Sequence, residues 1–436
     1  MLKFNIKGNI NIMVRKKTSE ISKDQDLKKE KKLSLFSQIA AKSEKDFGVY
    51  LTDYSKGKFT KSIPTGIDEL DQDLNYGEGI PLGIMCEFFG KESGGKSYFA
   101  QKICANAQRK YPDMAVIYVD LENSLMERRL KEIGVDTSQD RWIEIPNVGD
   151  ADKTFDHLTS ILEEFGEQIS LVVIDSLKAI TKPEWIGDKK PGSPLSKFLS
   201  NRIGQLHALC VKHEIACILI NQVRIDIAAA MNGYYAEWTP GGDTVNFFAQ
   251  LRLRIKKVTG KNGLITIDNK VVGHLMEIKN IKSKIGIPLR EYKSALYYVH
   301  VALEDKLFIL GREHSTEEGS TKKIISVRND IFKFKEHTQE GEMQFKRSLF
   351  NDNLLIDLYD ELALVCDVDG ISRQEVIEHY EHGPDETNLK DAMSQEEYER
   401  KMEEEEVKEK MDLERQKSFY LNRSNTELDP DNIIKA

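Results

Sequence analysis

One eight-residue segment, Gly90-Lys91-Glu92-Ser93-Gly94-Gly95-Lys96-Ser97, constrains this chain more than any other. It fits G-x-x-x-x-G-K-[ST], a pattern that cradles nucleotide phosphates. Gly90, Gly94 and Gly95 let the backbone take positive φ and approach a phosphate without a Cβ clash. Successive N–H groups then line an anion-binding nest. Lys96 adds a point charge for the β- and γ-phosphates, and the Ser97 hydroxyl can bind Mg²⁺. The context agrees. Ile84 to Phe89 is a mainly apolar strand, and Ser97 to Lys110 reads as a helix whose N-terminus faces the phosphates. A Gly-rich turn matching the pattern by accident is the alternative, and it requires neither flanking element.

The 436 residues suggest two or three domains, or one large core with appendages. Hydrophobic residues make up 40%, enough for a substantial core, yet no apolar run approaches the ~20 residues that span a bilayer. Met1 to Asn11 lacks the long apolar stretch of a secretion signal, and Met13 offers an alternative start. Cys86, Cys104, Cys210, Cys217 and Cys366 lie mostly in apolar segments without metal-ligand spacing, which fits reduced thiols in a cytoplasmic protein. The net charge of −9 argues against a uniformly cationic nucleic-acid binder but leaves room for a local basic surface. Basic residues gather in the centre, at Lys189, Lys190, Arg252, Arg254, Lys256, Lys257, Lys282 and Lys284; acid gathers in Glu396 to Glu414.

Five segments are expected. Residues 1–32 are polar and Lys-rich and read as a mobile extension. Residues 33–62 carry a short amphipathic helix that needs a surface to pack on, such as a neighbouring subunit. Residues 63–301 alternate apolar strands with helices. The clearest strands are Val116–Val119, Leu171–Ile174, Ala216–Ile220 and Leu251–Ile255, which predict an α/β core with a buried, mostly parallel sheet covered on both faces. The last alternates apolar and basic residues, as expected toward a sheet edge. Residues 302–393 form a small C-terminal α/β region, and 394–436 form an acidic tail, either a solvated helix or disordered.

Two further strands end in groups suited to a phosphate site. Leu171-Val172-Val173-Ile174-Asp175 places a carboxylate where it can hold a metal's water shell. Tyr118-Val119-Asp120-Leu121-Glu122 places Glu122 where it can orient an attacking water, or where it merely caps the next helix. Gln222, after a third strand, can bond a γ-phosphate, or is a surface amide at a strand end. The segment from Val223 to Gly242 is too long and too apolar for an idle connection. It can wedge apolar side chains between bases, or serve as a protein interface.

These residues, in this order, resemble the RecA family of ATP-dependent recombinases from about Leu33 to Val301. The resemblance extends through Pro64-Thr65-Gly66, Asn221-Gln222-Val223-Arg224, Pro240-Gly241-Gly242 and Lys282-Ser283-Lys284, and looks bacterial or phage in type. It implies a RecA-type core with an N-terminal helical arm, and ATP and Mg²⁺ as cofactors. Gly90, Lys91, Glu92, Ser93, Gly94, Gly95, Lys96 and Ser97 would bind nucleotide, and Ser97 and Asp175 would hold the metal. Glu122 would be the catalytic carboxylate and Gln222 the γ-phosphate sensor. Lys282 and Lys284 would reach the ATP of the adjacent subunit. Single-stranded DNA would meet one loop bearing Lys189, Lys190 and Gly192, and a second bearing Arg224, Met231, Tyr234, Trp238, Gly241 and Gly242. The implied partners are single-stranded DNA, double-stranded DNA and other copies of the chain in a helical filament, with single-strand-binding and mediator proteins besides.

The sequence departs from the family in three places. Arg129 stands where bacterial members stack an aromatic ring on adenine, with Met126 for an acidic base contact. Asn246 replaces a lysine, and Asp243 an asparagine. Arg129 can still lay its planar guanidinium on a base. The rival readings are a RecA-fold hexameric helicase or DNA-repair ATPase, and a protein-binding scaffold ATPase.

Overall fold

A computed structural model of the chain describes residues 34–47, 61–182, 192–225, 237–260, 263–313, 323–328, 331–340, 345–346, 349, 354–363, 373, 376–377, 379, 387 and 392–427. The chain divides into two compact units, Met1–Thr60 and Lys61–Ala436. In the first, the expected N-terminal helix runs over Leu35–Phe47 (α1) and leaves Leu35, Phe36 and Ile39 exposed.

The second unit is built on a ten-stranded sheet. Its strands are β1 (Met85–Gly90), β2 (Ala115–Asp120), β3 (Trp142–Pro146), β4 (Ile169–Asp175), β5 (Ala216–Gln222), β6 (Leu251–Lys257), β7 (Leu264–Ile267), β8 (Lys270–Ser283), β9 (Glu291–Tyr297) and β10 (Met393–Ser394). Across the sheet the order is β7-β8-β6-β1-β5-β4-β2-β3, with β9 and β10 also paired to β8. From β6 to β3 every neighbour is parallel; β8 is antiparallel to all its partners.

The connecting helices are α2 (Lys96–Lys110), α3 (Glu127–Ile133), α4 (Ala151–Phe165), α5 (Gly192–Lys212) and α6 (Gly242–Phe248). Strands buried on both faces must be apolar at nearly every position, and β1, β2 and β4 are buried throughout. Ile117, Val119, Val172, Ile174, Cys217 and Leu219 share one face, packed with Phe155, Leu158, Leu199, Ile203 and Leu206 of α4 and α5. The alternate strand positions take α2, where the Phe99 ring stacks 5.3 Å from Phe88. Truncating such a buried ring costs about 3–5 kcal/mol. The start of α4 is fixed by Asp150, whose carboxylate accepts the N–H groups of Asp152 and Lys153.

The structure corrects one placement. β6 is no edge strand: it lies between β1 and β8, where the parallel and antiparallel parts of the sheet meet. Its alternation is real, with Leu251, Leu253 and Ile255 buried and Arg252 and Arg254 half-buried. Alternation reports a difference between two faces, and says nothing of lateral position.

Beyond β9, α7 (Leu303–Glu313), α8 (Leu354–Ala363) and a three-stranded antiparallel sheet (Ser326–Arg328, Ile331–Phe334, His337–Glu340) close over their own core of Leu307, Phe308, Phe332, Phe334, Phe345 and Leu358. The chain then returns. β10 pairs with the start of β8, Lys270 opposite Ser394 and Val271 opposite Met393. The tail continues as a 33-residue helix, α9 (Gln395–Glu427). Its root is not solvated. Tyr398 is buried, its hydroxyl 2.8 Å from that of Tyr298 and bonded by the Lys257 ammonium.

Candidate nucleotide site

Parallel strands bring their C-terminal ends to one edge of a sheet, and loops leaving that edge can converge on a ligand. Here Gly90 of β1 lies in register with Gln222 of β5, and Asp120 of β2 with Asp175 of β4. The segments carrying the phosphate-loop motif, Glu122, Asp175 and Gln222 therefore leave the same edge. Immediately after Gly90 the chain turns through Ser93, at φ 54°, and Gly95, at φ 96°, into the first turn of α2. Gly95 is required for space as well as conformation: a Cβ there would stand 2.2 Å from the Met276 sulfur.

The Lys96 side chain is buried, with Nζ donating to the Lys91 carbonyl at 2.5 Å. Burial pushes its pKa down, against the opposing pull of Asp175, Glu122 and Glu92. Asp175 is also buried. It accepts hydrogen bonds from Ser97 and from the Tyr118 hydroxyl, the latter at 2.7 Å, while burial raises its pKa. One ammonium, one hydroxyl and one carboxylate thus meet at the mouth of the loop. This donor set fits a divalent cation bound to a polyphosphate: oxygen ligands for a hard ion, beside a lysine for the phosphates.

Glu122 sits in the exposed turn after β2, where its carboxylate accepts the Ser176 hydroxyl. The alternative role of helix cap is not seen at Glu122: α3 begins after Met126 with no side-chain cap hydrogen bond. Asp120 accepts the N–H groups of Glu122, Ser124 and Leu125, at 3.2, 2.8 and 3.0 Å, and holds the turn that precedes α3. Gln222 is half-buried and hydrogen-bonds Glu92 of the phosphate loop. Glu92 also receives Lys178 at 2.6 Å. Arg129 lies with its guanidinium 5.4 Å over the Tyr98 ring, pairs with Glu132 and donates to the Tyr297 carbonyl.

Lys282 and Lys284 are not brought to this cradle. Lys282 is opposite Arg252 on β6, and Arg252 is opposite Glu87 on β1, so both lysines lie toward the far end of the sheet from Gly90. Lys282 donates to the Asn246 carbonyl, with its pKa lowered by burial and then by Lys284 and Arg252. Lys284 lies 5.9 Å over the exposed Phe247 ring.

Of the expected DNA-contacting residues, Lys189, Lys190, Met231 and Tyr234 lie outside the described residues, as does the Trp238 side chain. Gly192 begins α5. The second loop leaves and returns through a two-residue ribbon in which Arg224, which is exposed, is opposite Trp238. Its return is pinned beneath. Buried Asn221 donates to the Pro240 carbonyl and to Glu87, each at 2.9 Å. Gly241 follows at φ 98°, where a Cβ would stand 2.7 Å from Val245.

Sequence reasoning missed Glu87. It is wholly buried in β1, 2.5 Å from Arg252 Nε. An acid inside an apolar strand was the available signal, and the basic positions of β6 supplied its partner. Tyr118, Ser176 and Lys178 were missed as well, since each matters only through the side chain it meets.

Comparison with known proteins matches this core to one family. The family model of the RecA N-terminal domain matches residues 33–302. The chain is 33% identical to Protein RecA of Thermus aquaticus over 240 residues, 54% of this chain and 66% of that protein. It is 32% identical to Protein RecA of Deinococcus radiodurans over 297 residues, 64% of this chain and 75% of that one. With Protein RecA of Borrelia duttonii it shares 28% over 280 residues, covering 62% and 73%.

Proposed function

The chain belongs to the RecA family, and from that premise we propose that it is an ATP-dependent recombinase. It polymerises on single-stranded DNA, pairs that strand with homologous double-stranded DNA and exchanges strands, with ATP hydrolysis releasing the filament. The observation that carries this reading is the shared edge. The phosphate loop, Glu122, Asp175 and Gln222 leave it together, and so does the loop closed by Arg224 and Trp238.

Lys96 and the backbone of Gly90 to Gly95 hold the β- and γ-phosphates. Ser97 and Asp175 would hold Mg²⁺, which neutralises phosphate charge when bound. Glu122 orients the attacking water and draws its proton as the new O–P bond forms and the bond to the β,γ-bridging oxygen breaks. Gln222 reports the γ-phosphate to the second loop. Arg129 contacts the base. Lys282 and Lys284 act across a subunit interface, a reading supported by their distance from their own cradle. Single-strand-binding and mediator proteins are the further partners, and the bacterial or phage-infected cytoplasm the setting. No helix among the described residues is long and apolar enough to cross a membrane.

Electron microscopy with single-stranded DNA and ATP tests the proposal. Helical filaments that catalyse strand exchange, and that vanish in Lys96→Ala, are the expected result. Closed rings would indicate a helicase, and no DNA-dependent assembly a scaffold ATPase.

A further inference from the structure

The turn that follows β4 carries two side chains into the site, one to Glu122 and one to the phosphate loop. Ser176 donates to Glu122, and two residues later Lys178 forms its 2.6 Å pair with Glu92. Glu92 is the second residue after Gly90, within the loop itself, and its carboxylate also takes a hydrogen bond from Gln222. Lys178 and Glu92 both act electrostatically on Lys96. Two lysines, from different segments, therefore act on one loop carboxylate at the mouth of the cradle. The Lys178–Glu92 pair is open to solvent, with side chains 41% and 68% exposed. Exposed pairs hold their partners weakly, and a terminal phosphate carries more charge and more acceptor oxygens than a carboxylate does.

We propose that Lys178 is a second, same-chain cation for the terminal phosphate of the bound nucleotide, exchanging Glu92 for it. This rests on the ATP-site reading above. The Lys178 ammonium donates to a γ-phosphate oxygen and offsets the negative charge that spreads over the transferring group. Losing Lys178 leaves Glu92 with the Gln222 hydrogen bond and the pull of Lys96, so a single exchange ties the nucleotide's third phosphate to the residue at the root of the second loop. An ADP-bound site offers Lys178 no such partner. Lys178 thus discriminates between the triphosphate and the diphosphate, with no part in holding the rest of the nucleotide.

The test compares Lys178→Met, which keeps the chain length without the charge, with Lys178→Arg, which keeps the charge. Affinities for ADP and for a non-hydrolysable ATP analogue are measured by titration, alongside ATP turnover. For Lys178→Met we expect ADP affinity within twofold of the parent. Analogue affinity and kcat should each fall about tenfold, as when one charge-stabilising donor is removed from a partly solvated site. Lys178→Arg should recover most of both. Parent-like analogue affinity and kcat in Lys178→Met overturn the proposal, as does a loss of ADP affinity equal to the loss of analogue affinity. If Lys178→Met does not fold, failure of Lys178→Arg to retain the parent's preference for analogue over ADP overturns it as well. Lys96→Met separates the two levels of inference. If it still turns over ATP, the site reading fails; if it is inactive while Lys178→Met matches the parent, only the role of Lys178 fails.

Discussion

Removing the guanidinium of Arg252 should expose how much of the core rests on one buried charge. Glu87 has no solvent access, and its carboxylate has Arg252 at 2.5 Å and the Asn221 amide at 2.9 Å. Arg252 is itself largely covered, with 14% of its side chain exposed and the Phe89 ring 4.7 Å beneath it. Arg252→Met keeps the apolar stem over Phe89 and removes the charge. The carboxylate then stays buried with one neutral donor. Breaking a buried pair from one side costs about 3–5 kcal/mol, most of it the uncompensated charge. Adding Glu87→Gln removes that charge and keeps an acceptor for Asn221, so the double variant should recover to within about 1 kcal/mol of the parent. Urea unfolding without nucleotide, which avoids stabilisation by bound ligand, gives the double-mutant cycle, and its coupling should exceed about 2 kcal/mol. A cost below about 1 kcal/mol for Arg252→Met, or a double variant no more stable than the single one, would refute the reasoning. Because Asn221 also holds the Pro240 carbonyl, DNA-stimulated ATP turnover should suffer more than basal turnover in the single variant.

Glu122→Gln should bind ATP, hydrolyse it slowly and form long-lived DNA filaments; parent-like turnover would remove Glu122 from the chemistry. Lys282→Ala and Lys284→Ala should each lower DNA-stimulated turnover, and mixing either with Glu122→Gln should restore part of it at mixed junctions; co-assembly without restoration would argue against action across subunits. Burial, aided by nearby Lys257, pushes the pKa of His274 down to about 4. The unfolded chain takes that proton at about pH 6.5, so this contribution is whole above pH 6.5 and is lost as pH falls toward 4, by roughly 3 kcal/mol at most. His274→Asn should flatten that acid slope in a urea series, and an unchanged slope would discount His274.

What the sequence revealed follows from how locally each signal is written. The phosphate loop depends on glycines adjacent in the chain, and the ends of β4 and β5 on apolar runs stopping at Asp175 and Gln222. Lateral order in a sheet is not local. β6 reads as an edge because Arg252 and Arg254 alternate with leucines, yet Arg252 is drawn inward by Glu87, 165 residues away in the chain. The same holds for Lys178, whose partner in the phosphate loop is 86 residues distant. The tail shows the reverse limit. Its Glu-rich composition fits the exposed stretch of α9, but Tyr398, alone among charged neighbours, gives little warning that it docks.

That docking changes what the tail's charge can do. A tether free at its origin spreads charge through a cloud, whereas α9 is a rod rooted on β8 and Lys257, about 50 Å long at helical rise. Its length is several times the ~8 Å over which physiological salt lets charges act. Each glutamate therefore influences only what lies alongside its own stretch of rod. Shortening the rod from its far end would map that influence position by position, while cutting before Tyr398 would also unfasten Lys257 and Tyr298.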